Sequence, residues 1–297
     1  MVVVFGSINL DLVAQVGRIP APGETLAGHS FKTVPGGKGA NQALAASRAG
    51  AQVKMFGAVG RDAFAAKALA NLEASGVDLS GVIAVDTPTG VALIHVDGRG
   101  ENAITVIAGA NGEARAAQVP DEALGPTSTL VLQLEVPLAE VAQLAHRAHG
   151  ARVILNAAPA TTLPDDLLHR VGILIVNETE AAIVGAKLGL PTTPDQFAVA
   201  AATRYQCTVV VTLGPRGAIA VHGDARVAVA APPTGVVDTT GAGDALVGAF
   251  AAALDRGAPL RQALAEGVAA GSLACTGRGA QAALPAQSAI ADLAATL

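Results

Sequence analysis

Short apolar runs rich in Val, Ile and Leu alternate along the chain with Ala-rich stretches of helical length. Val2–Phe5 is apolar throughout, the pattern of a strand buried on both faces, and predicts the first strand. Residues 38–49 predict a helix and 52–56 the next strand. Ala63–Ala74 predicts a second helix, with Gly76 just past its end as a stop. Further strands are expected at 130–134, 153–155, 173–176 and 208–213, with helices between them at 138–148, 178–185 and 194–205. Segments 242–255, 260–275 and 287–297 are mostly helical in pattern. Strand alternating with helix implies parallel βαβ units. The expected fold is therefore α/β, one doubly wound and mostly parallel sheet flanked by helices.

Two segments break this rhythm. Residues 11–34 carry Pro20, Pro22 and Gly23 between apolar-alternating pieces. In 90–107, Val91, Leu93 and His95 alternate on one side of Gly98-Arg99-Gly100, and Ile104 and Val106 on the other. The second segment predicts a hairpin. Both read as strands outside the main sheet that form a small β-flap, inserted in a single domain of 297 residues. No linker, low-complexity tract or internal repeat divides the chain.

Hydrophobic residues make up 51% of the chain and aromatics only 2%, so the core is built from Ala, Val, Leu and Ile. A net charge of -5, with no Lys/Arg run, argues against a nucleic-acid or anionic-membrane partner. Cys207 and Cys275 form neither a CxxC pair nor a disulfide framework. The N-terminus lacks a basic n-region, and no apolar run reaches membrane-spanning length. A soluble, cytoplasmic protein is expected.

The strongest chemical signal is Val237-Asp238-Thr239-Thr240-Gly241-Ala242-Gly243-Asp244, which opens a predicted helix. Small residues at Gly241, Ala242 and Gly243 expose backbone N–H groups at the helix start, a site for a phosphate or for the charge of a transferring phosphoryl group. Asp244 would repel phosphate but is placed to take a proton from an attacking hydroxyl. Read structurally, the same residues are a tight turn with an acid favoured by the helix dipole. Gly36-Gly37-Lys38-Gly39-Ala40-Asn41-Gln42 opens another helix. It has neither Walker A nor GxGxxG spacing, which counts against a dinucleotide-binding dehydrogenase. Asn9 and Asp11, at the end of the first strand, share one side and suit vicinal hydroxyls, or cap a turn. Asn177, Glu178 and Glu180 offer an amide and two carboxylates to hold a hydrated Mg²⁺ through water; Asn177 and Glu180 also suit a helix capping box, and both readings can hold. Thr212, Leu213, Gly214, Pro215, Arg216 and Gly217 form a strand-end loop that suits a nucleotide, and that taken alone is only a turn.

Taken in order, these motifs resemble the PfkB-type carbohydrate kinases over nearly the full chain. The octet ending at Asp244 resembles that family's C-terminal signature, and residues 36–43 resemble part of its N-terminal one. The resemblance implies an ATP-dependent kinase with Asp244 as base and Gly241, Ala242 and Gly243 as anion hole. It places Asn9, Asp11, Gly37, Lys38, Gly39, Asn41 and Glu135 around the sugar. Asn177, the loop 212–217, Gly243 and Val268 fall at nucleotide-contacting positions, and Glu180 at the acid linked to Mg²⁺. Asp238, Thr240, Ala274, Gly277, Gly279 and Ala283 match the ligand positions of a monovalent cation, usually K⁺. The flap corresponds to the family's lid, which implies a homodimer.

Ribose, phosphorylated on its primary 5-hydroxyl, is the expected substrate, because Asn9, Asp11, Asn41 and Glu135 supply many hydroxyl partners. Deoxyribose, fructose or an adenosine-like nucleoside are alternatives, and so is a sugar sensor without catalysis. An intact Asp244 and its glycines argue against the sensor. Val268 stands where a polar adenine contact is common and Ala283 where a Ser oxygen often faces the cation, so a weak K⁺ effect is expected. Leu246 replaces a usual Phe and Ala157 a usual Pro; both read as core or loop adjustments.

Overall fold

A computed structural model describes all 297 residues. In chain order, β1 (Val2–Phe5), β2 (Asn9–Gln15) and β3 (Ser30–Gly36) precede helix α1 (Lys38–Arg48). Strand β4 (Val53–Gly60), helix α2 (Ala63–Ala74) and strands β5 (Asp78–Val85), β6 (Gly90–Val96) and β7 (Asn102–Ile107) follow. The middle of the chain alternates β8 (Thr129–Leu132), α3 (Leu138–Arg147), β9 (Arg152–Asn156), α4 (Asp165–Leu168), β10 (Ile173–Asn177), α5 (Glu178–Leu188), α6 (Pro194–Tyr205) and β11 (Thr208–Thr212). A hairpin of β12 (Ala218–His222) and β13 (Ala225–Val229) leads to α7 (Ala242–Asp255), α8 (Leu260–Ala274) and α9 (Gln287–Ala294).

The main sheet has nine strands in the order β13-β12-β11-β10-β9-β8-β1-β4-β5. Its pairings are parallel from β5 through β11, and only β12 and β13 run antiparallel, at one edge. Helices cover both faces, so alternate residues of one strand enter different cores. Val2 and Val4 pack with α1, α2, α7, α8 and α9, whereas Val3 and Phe5 pack with α3 to α6. This double burial is why β1 reads as apolar throughout. The chain builds outward from β1 through β4 and β5, then returns to place β8 on the other side of β1. The switch point of the sheet therefore lies between β1 and β8, where open α/β sheets form their ligand crevice.

The remaining strands form a second sheet in the order β3-β2-β6-β7. Asp11 pairs with Val34 and Ala92, and Ala92 with Val106, so these residues share one face. Strands β5, β12 and β13 are not anticipated by the sequence pattern. Strand β4 also extends through Gly57 to Gly60. No helix is long and apolar enough to cross a membrane.

Candidate active site

The loops after β1 and β8 meet at the switch point. Ser7 Oγ donates to Glu135 Oε2 at 2.6 Å, and the Lys38 N–H donates to the same oxygen at 3.0 Å. The Gly39 N–H donates to Ser7 Oγ at 3.2 Å and the Ala40 N–H to the Ser7 carbonyl at 2.8 Å. The first turn of α1 is thus fastened to the loop after β1, with a carboxylate at its positive end. A Cβ on Gly39 would lie 2.6 Å from Gly6 C and Ser7 N, so only glycine allows this approach. Asn9 Oδ1 accepts from Asn111 Nδ2 at 2.7 Å, and the Asn9 NH₂ has no partner within the chain.

Gly241 caps α7 in the left-handed region, φ 80°, and Asp244 sits in the first turn of that helix. Its carboxylate is 7% exposed and held at both ends: Oδ2 accepts from Asn41 Nδ2 and Oδ1 from Gln42 Nε2, each at 2.9 Å. Burial pushes its pKa up; the Lys38 charge and the two amide donors oppose that shift. The Ala242 N–H donates to the Thr239 carbonyl at 3.2 Å, whereas the N–H groups of Gly241 and Gly243 have no partner in the chain. An anion at this helix start would therefore meet Gly241 and Gly243, not all three groups expected.

Asp11 and Glu135 lie close enough to Asp244 to act on its charge. Burial, then Glu135 and Asp244, push the Asp11 carboxyl up to about 7. Lys38 is the cation among them. Burial disfavours its ammonium, but Asp244, Glu135 and Glu180 hold its pKa above the usual lysine value. Clustered acids with perturbed pKa values in a cleft are the arrangement that makes this a candidate functional site.

Two cavities join at Gly243. The smaller, about 200 Å³, is lined by Lys38, Asn177, Glu180, Thr212, Gly243 and Asp244 among others. The larger, about 630 Å³, has Gly214, Pro215, Val236, Leu246, Val268 and Ser272 in its wall, and shares Thr212 and Gly243 with the first. Leu246, expected to be only a core adjustment, thus also faces this groove, whereas Ala157 is buried. Gly217 lines the groove, but Leu213 and Arg216 do not; the Arg216 guanidinium pairs with Glu178. The larger cavity is mostly apolar and the smaller one polar. A nucleotide's base and its phosphates call for that division.

The donor sets fit the two implied cations. Glu180 completes a capping box with Asn177, at 2.8 and 2.9 Å, yet still lines the small cavity. No cluster of three metal-ligating side chains exists. One carboxylate beside a phosphate cavity suits Mg²⁺, which keeps its waters and leans on substrate phosphates. Asp238 joins the loop before α7 to the loop after α8. It accepts from the Thr240 N–H at 2.9 Å, from Thr240 Oγ1 at 2.7 Å and from the Gly279 N–H at 2.9 Å. Although burial opposes it, these bonds lower the Asp238 pKa, so the group is charged. Ala274 and Gly279 offer only carbonyls, which accept from Gly277 and Ala283 at 3.4 and 3.2 Å. Carboxylate and carbonyl oxygens are the donors a hard monovalent ion requires.

Sequence reasoning misses Gln42, Gln133, Asn156 and Gln281 as parts of the site. All four are buried, and they form amide chains that end on Asn41 and Asp244. Gln133 and Asn156 are signalled as polar residues inside otherwise apolar stretches, and Gln42 by its place at the end of the motif that opens α1.

Residues 1–287 match the model of the pfkB family carbohydrate kinase. The ribokinase of Bacillus subtilis is 38% identical, the alignment covering 98% of each chain. That of Schizosaccharomyces pombe is 37% identical over 96% of this chain and 94% of its own. The deoxyribokinase of Salmonella typhi is 35% identical over 96% and 95%. Among solved structures, the ribokinase of Thermotoga maritima superposes with a TM-score of 0.92 at 31% identity, covering 98% of both chains. The Arabidopsis thaliana ribokinase complexed with ribose and ATP gives 0.89 at 32%, covering 99% and 98%. With the family's sequence pattern, its fold, and a buried carboxylate where two cavities meet, the chain belongs to the PfkB carbohydrate kinases and is an ATP-dependent sugar kinase.

Proposed function

We propose that this kinase transfers the γ-phosphoryl group of ATP to the primary 5-hydroxyl of D-ribose. The observation that carries the reading is the placement of Asp244: its carboxylate lines the small cavity, and Gly243 beside it lines both cavities. The ribokinases among its relatives, one of them complexed with ribose and ATP, support the choice of sugar. In this reading Asn9, Asp11 and Glu135 hold the sugar hydroxyls. Asn41 adds at most one N–H, because its Oδ1 accepts from Gln281 and its Nδ2 already donates to Asp244. Asp244 takes the proton from the 5-hydroxyl as its oxygen attacks. Charge on the transferring group meets the N–H groups of Gly241 and Gly243, the positive end of α7, and Lys38. The base of ATP lies along Val236 and Val268, with its phosphates toward Asn177 and Gly243. Glu180 would hold Mg²⁺ through water, and that ion would neutralise phosphate charge.

Deoxyribose is the second reading, since deoxyribokinases are 35% identical to this chain. An ADP-release assay over ribose, deoxyribose, fructose and adenosine decides between them. The highest kcat/KM is expected for ribose; a clear preference for any other acceptor removes the assignment.

Asp238, Thr240 and the carbonyls of Ala274, Gly277 and Gly279 are proposed to hold K⁺. Ala283 adds no side-chain oxygen, so K⁺ is expected to raise kcat only modestly over Na⁺. Equal rates in K⁺, in Na⁺ and in buffer free of monovalent cations would eliminate the site.

The second sheet is read as a lid that also pairs with a second copy. Ile104 and Val106 on β7 are 54% and 53% exposed, and Val106 shares its face with Asp11. Apolar exposure of this kind suits burial against another lid. Light scattering is expected to give a dimer mass, and Ile104→Lys a monomer. A monomeric wild type would refute the pairing. The free thiols Cys207 and Cys275 suit a reducing cytoplasm.

A further inference from the structure

Asp244 is the end point of two chains of side-chain amides. One runs from Asn71 Nδ2 to Gln281 Oε1 (2.9 Å), from Gln281 Nε2 to Asn41 Oδ1 (3.0 Å), and from Asn41 Nδ2 to the carboxylate. The other centres on Gln42. Its Nε2 donates to Asp244 Oδ1 at 2.9 Å and to Asn156 Oδ1 at 3.0 Å, and its Oε1 accepts from Gln133 Nε2 at 2.8 Å. Asn156 is anchored in turn, donating to the Ile175 carbonyl at 3.2 Å. The orientation of the Gln42 amide is therefore determined. A flip would set its carbonyl against both the Asp244 carboxylate and the Asn156 carbonyl, and its NH₂ against the Gln133 NH₂.

Gln42 and Gln133 are 0% exposed, so neither can touch a substrate. Both are expensive residues to bury. Gln133 Oε1 is the one buried side-chain polar atom without a hydrogen-bond partner. It lies 1.8 Å from where a Gly6 Cβ would stand, along a Cα–H of that glycine, so at best a weak C–H···O contact serves it. A Gln kept at this cost with its NH₂ aimed at Gln42 suggests that the Gln42 carbonyl must be held.

We infer that Gln42 is a positioning residue for the catalytic base: locked by Gln133 and Asn156, it presents a donor to Asp244 that fixes the carboxylate's orientation and stabilises its ionised form. This rests on the reading of Asp244 as the base. The other charged groups facing Asp244 are Lys38 from α1, Glu135 from the loop after β8, Asp11 from β2 and Glu180 from α5. None of them bonds to Gln42, so a substitution there leaves them in place.

The test is the pH dependence of kcat with saturating ribose and ATP, for Gln42→Met and Gln133→Met. Met keeps the length and volume of Gln but donates nothing. Removing a donor from the anion raises its pKa, so the acid limb of the profile moves to higher pH. For Gln42→Met we expect a shift of roughly one pH unit or more and a fall in kcat at neutral pH of about 10-fold or more, with the ribose KM little changed. Gln133→Met, which leaves Asp244 untouched, shifts the limb in the same direction by less, and it decides the matter if Gln42→Met does not fold. A purely structural role would scale the profile down without moving it. An unmoved acid limb, or a raised ribose KM at normal kcat, overturns the inference. Asp244→Asn measured alongside separates the two readings. If that variant is inactive while the limb of the Gln variants is unmoved, only the role of Gln42 falls; if it stays active, the base assignment falls first.

Discussion

Asp244→Asn is expected to lower kcat by about 10²-fold or more, as loss of a positioned base does, while the protein still folds and binds ribose. The carboxylate is buried in the first turn of α7 with its pKa pushed up by that burial, so the charge is held there at a cost. A neutral amide of the same shape removes the desolvation penalty. It also sets its NH₂ against one of the two donors, Asn41 Nδ2 or Gln42 Nε2, while its carbonyl still accepts from the other. These two changes in stability oppose each other, so the melting temperature should move little. Ribose affinity, measured by calorimetry, should stay within a few-fold of wild type. Turnover close to normal would show that another group takes the proton.

Asp11→Ala is expected to raise the KM for ribose steeply and to affect that for ATP much less. A charged hydrogen bond in a water-poor site contributes roughly 1.5–3 kcal/mol, or about 10- to 150-fold in kcat/KM. Asp11 lies on β2 of the second sheet but close to Glu135 and Asp244 of the main domain. A sugar held by both would tie the lid to the core and exclude water from around Asp244. Hydrogen exchange should therefore slow in segments 11–34 and 90–107 on adding ribose alone. Protection by ATP alone would place the sugar elsewhere.

The Asp11 carboxyl, pushed up to about 7, also sets a pH dependence. Below that pH it is protonated and accepts hydroxyl donors poorly, so ribose should bind more weakly as pH falls through about 7. Asp11→Asn should abolish most of that dependence.

Local signals in the sequence led to much of this fold. Ala63–Ala74 and Pro194–Tyr205 match the observed helices, the first capped by Asp62, which accepts from the Phe64 and Ala65 N–H groups. Strands with an internal glycine carry a weaker signal. In β5, Ser80 and Gly81 suggest a turn, yet Gly81 is there because a Cβ would lie 2.3 Å from the Phe56 ring. Gly57, inside β4, has a similar role: a Cβ would lie 2.6 Å from the Gly6 carbonyl oxygen, so the glycine permits a close strand approach. The edge hairpin β12 and β13 alternates small residues about Gly223-Asp224, too faint a pattern to register. In the site, the motif residues were visible because each is a contiguous cluster at a helix start or strand end. The amides around Asp244 were not, because Gln42, Asn156 and Gln281 meet only through the fold.

The most direct test of the account is the ³¹P spectrum of the wild-type enzyme with ribose, Mg²⁺ and ATP. A phosphomonoester signal coupled to the two protons on C5 should grow in step with ADP, and only when ribose is present. Free phosphate in place of the ester, or an ester formed at a different ribose hydroxyl, would contradict it.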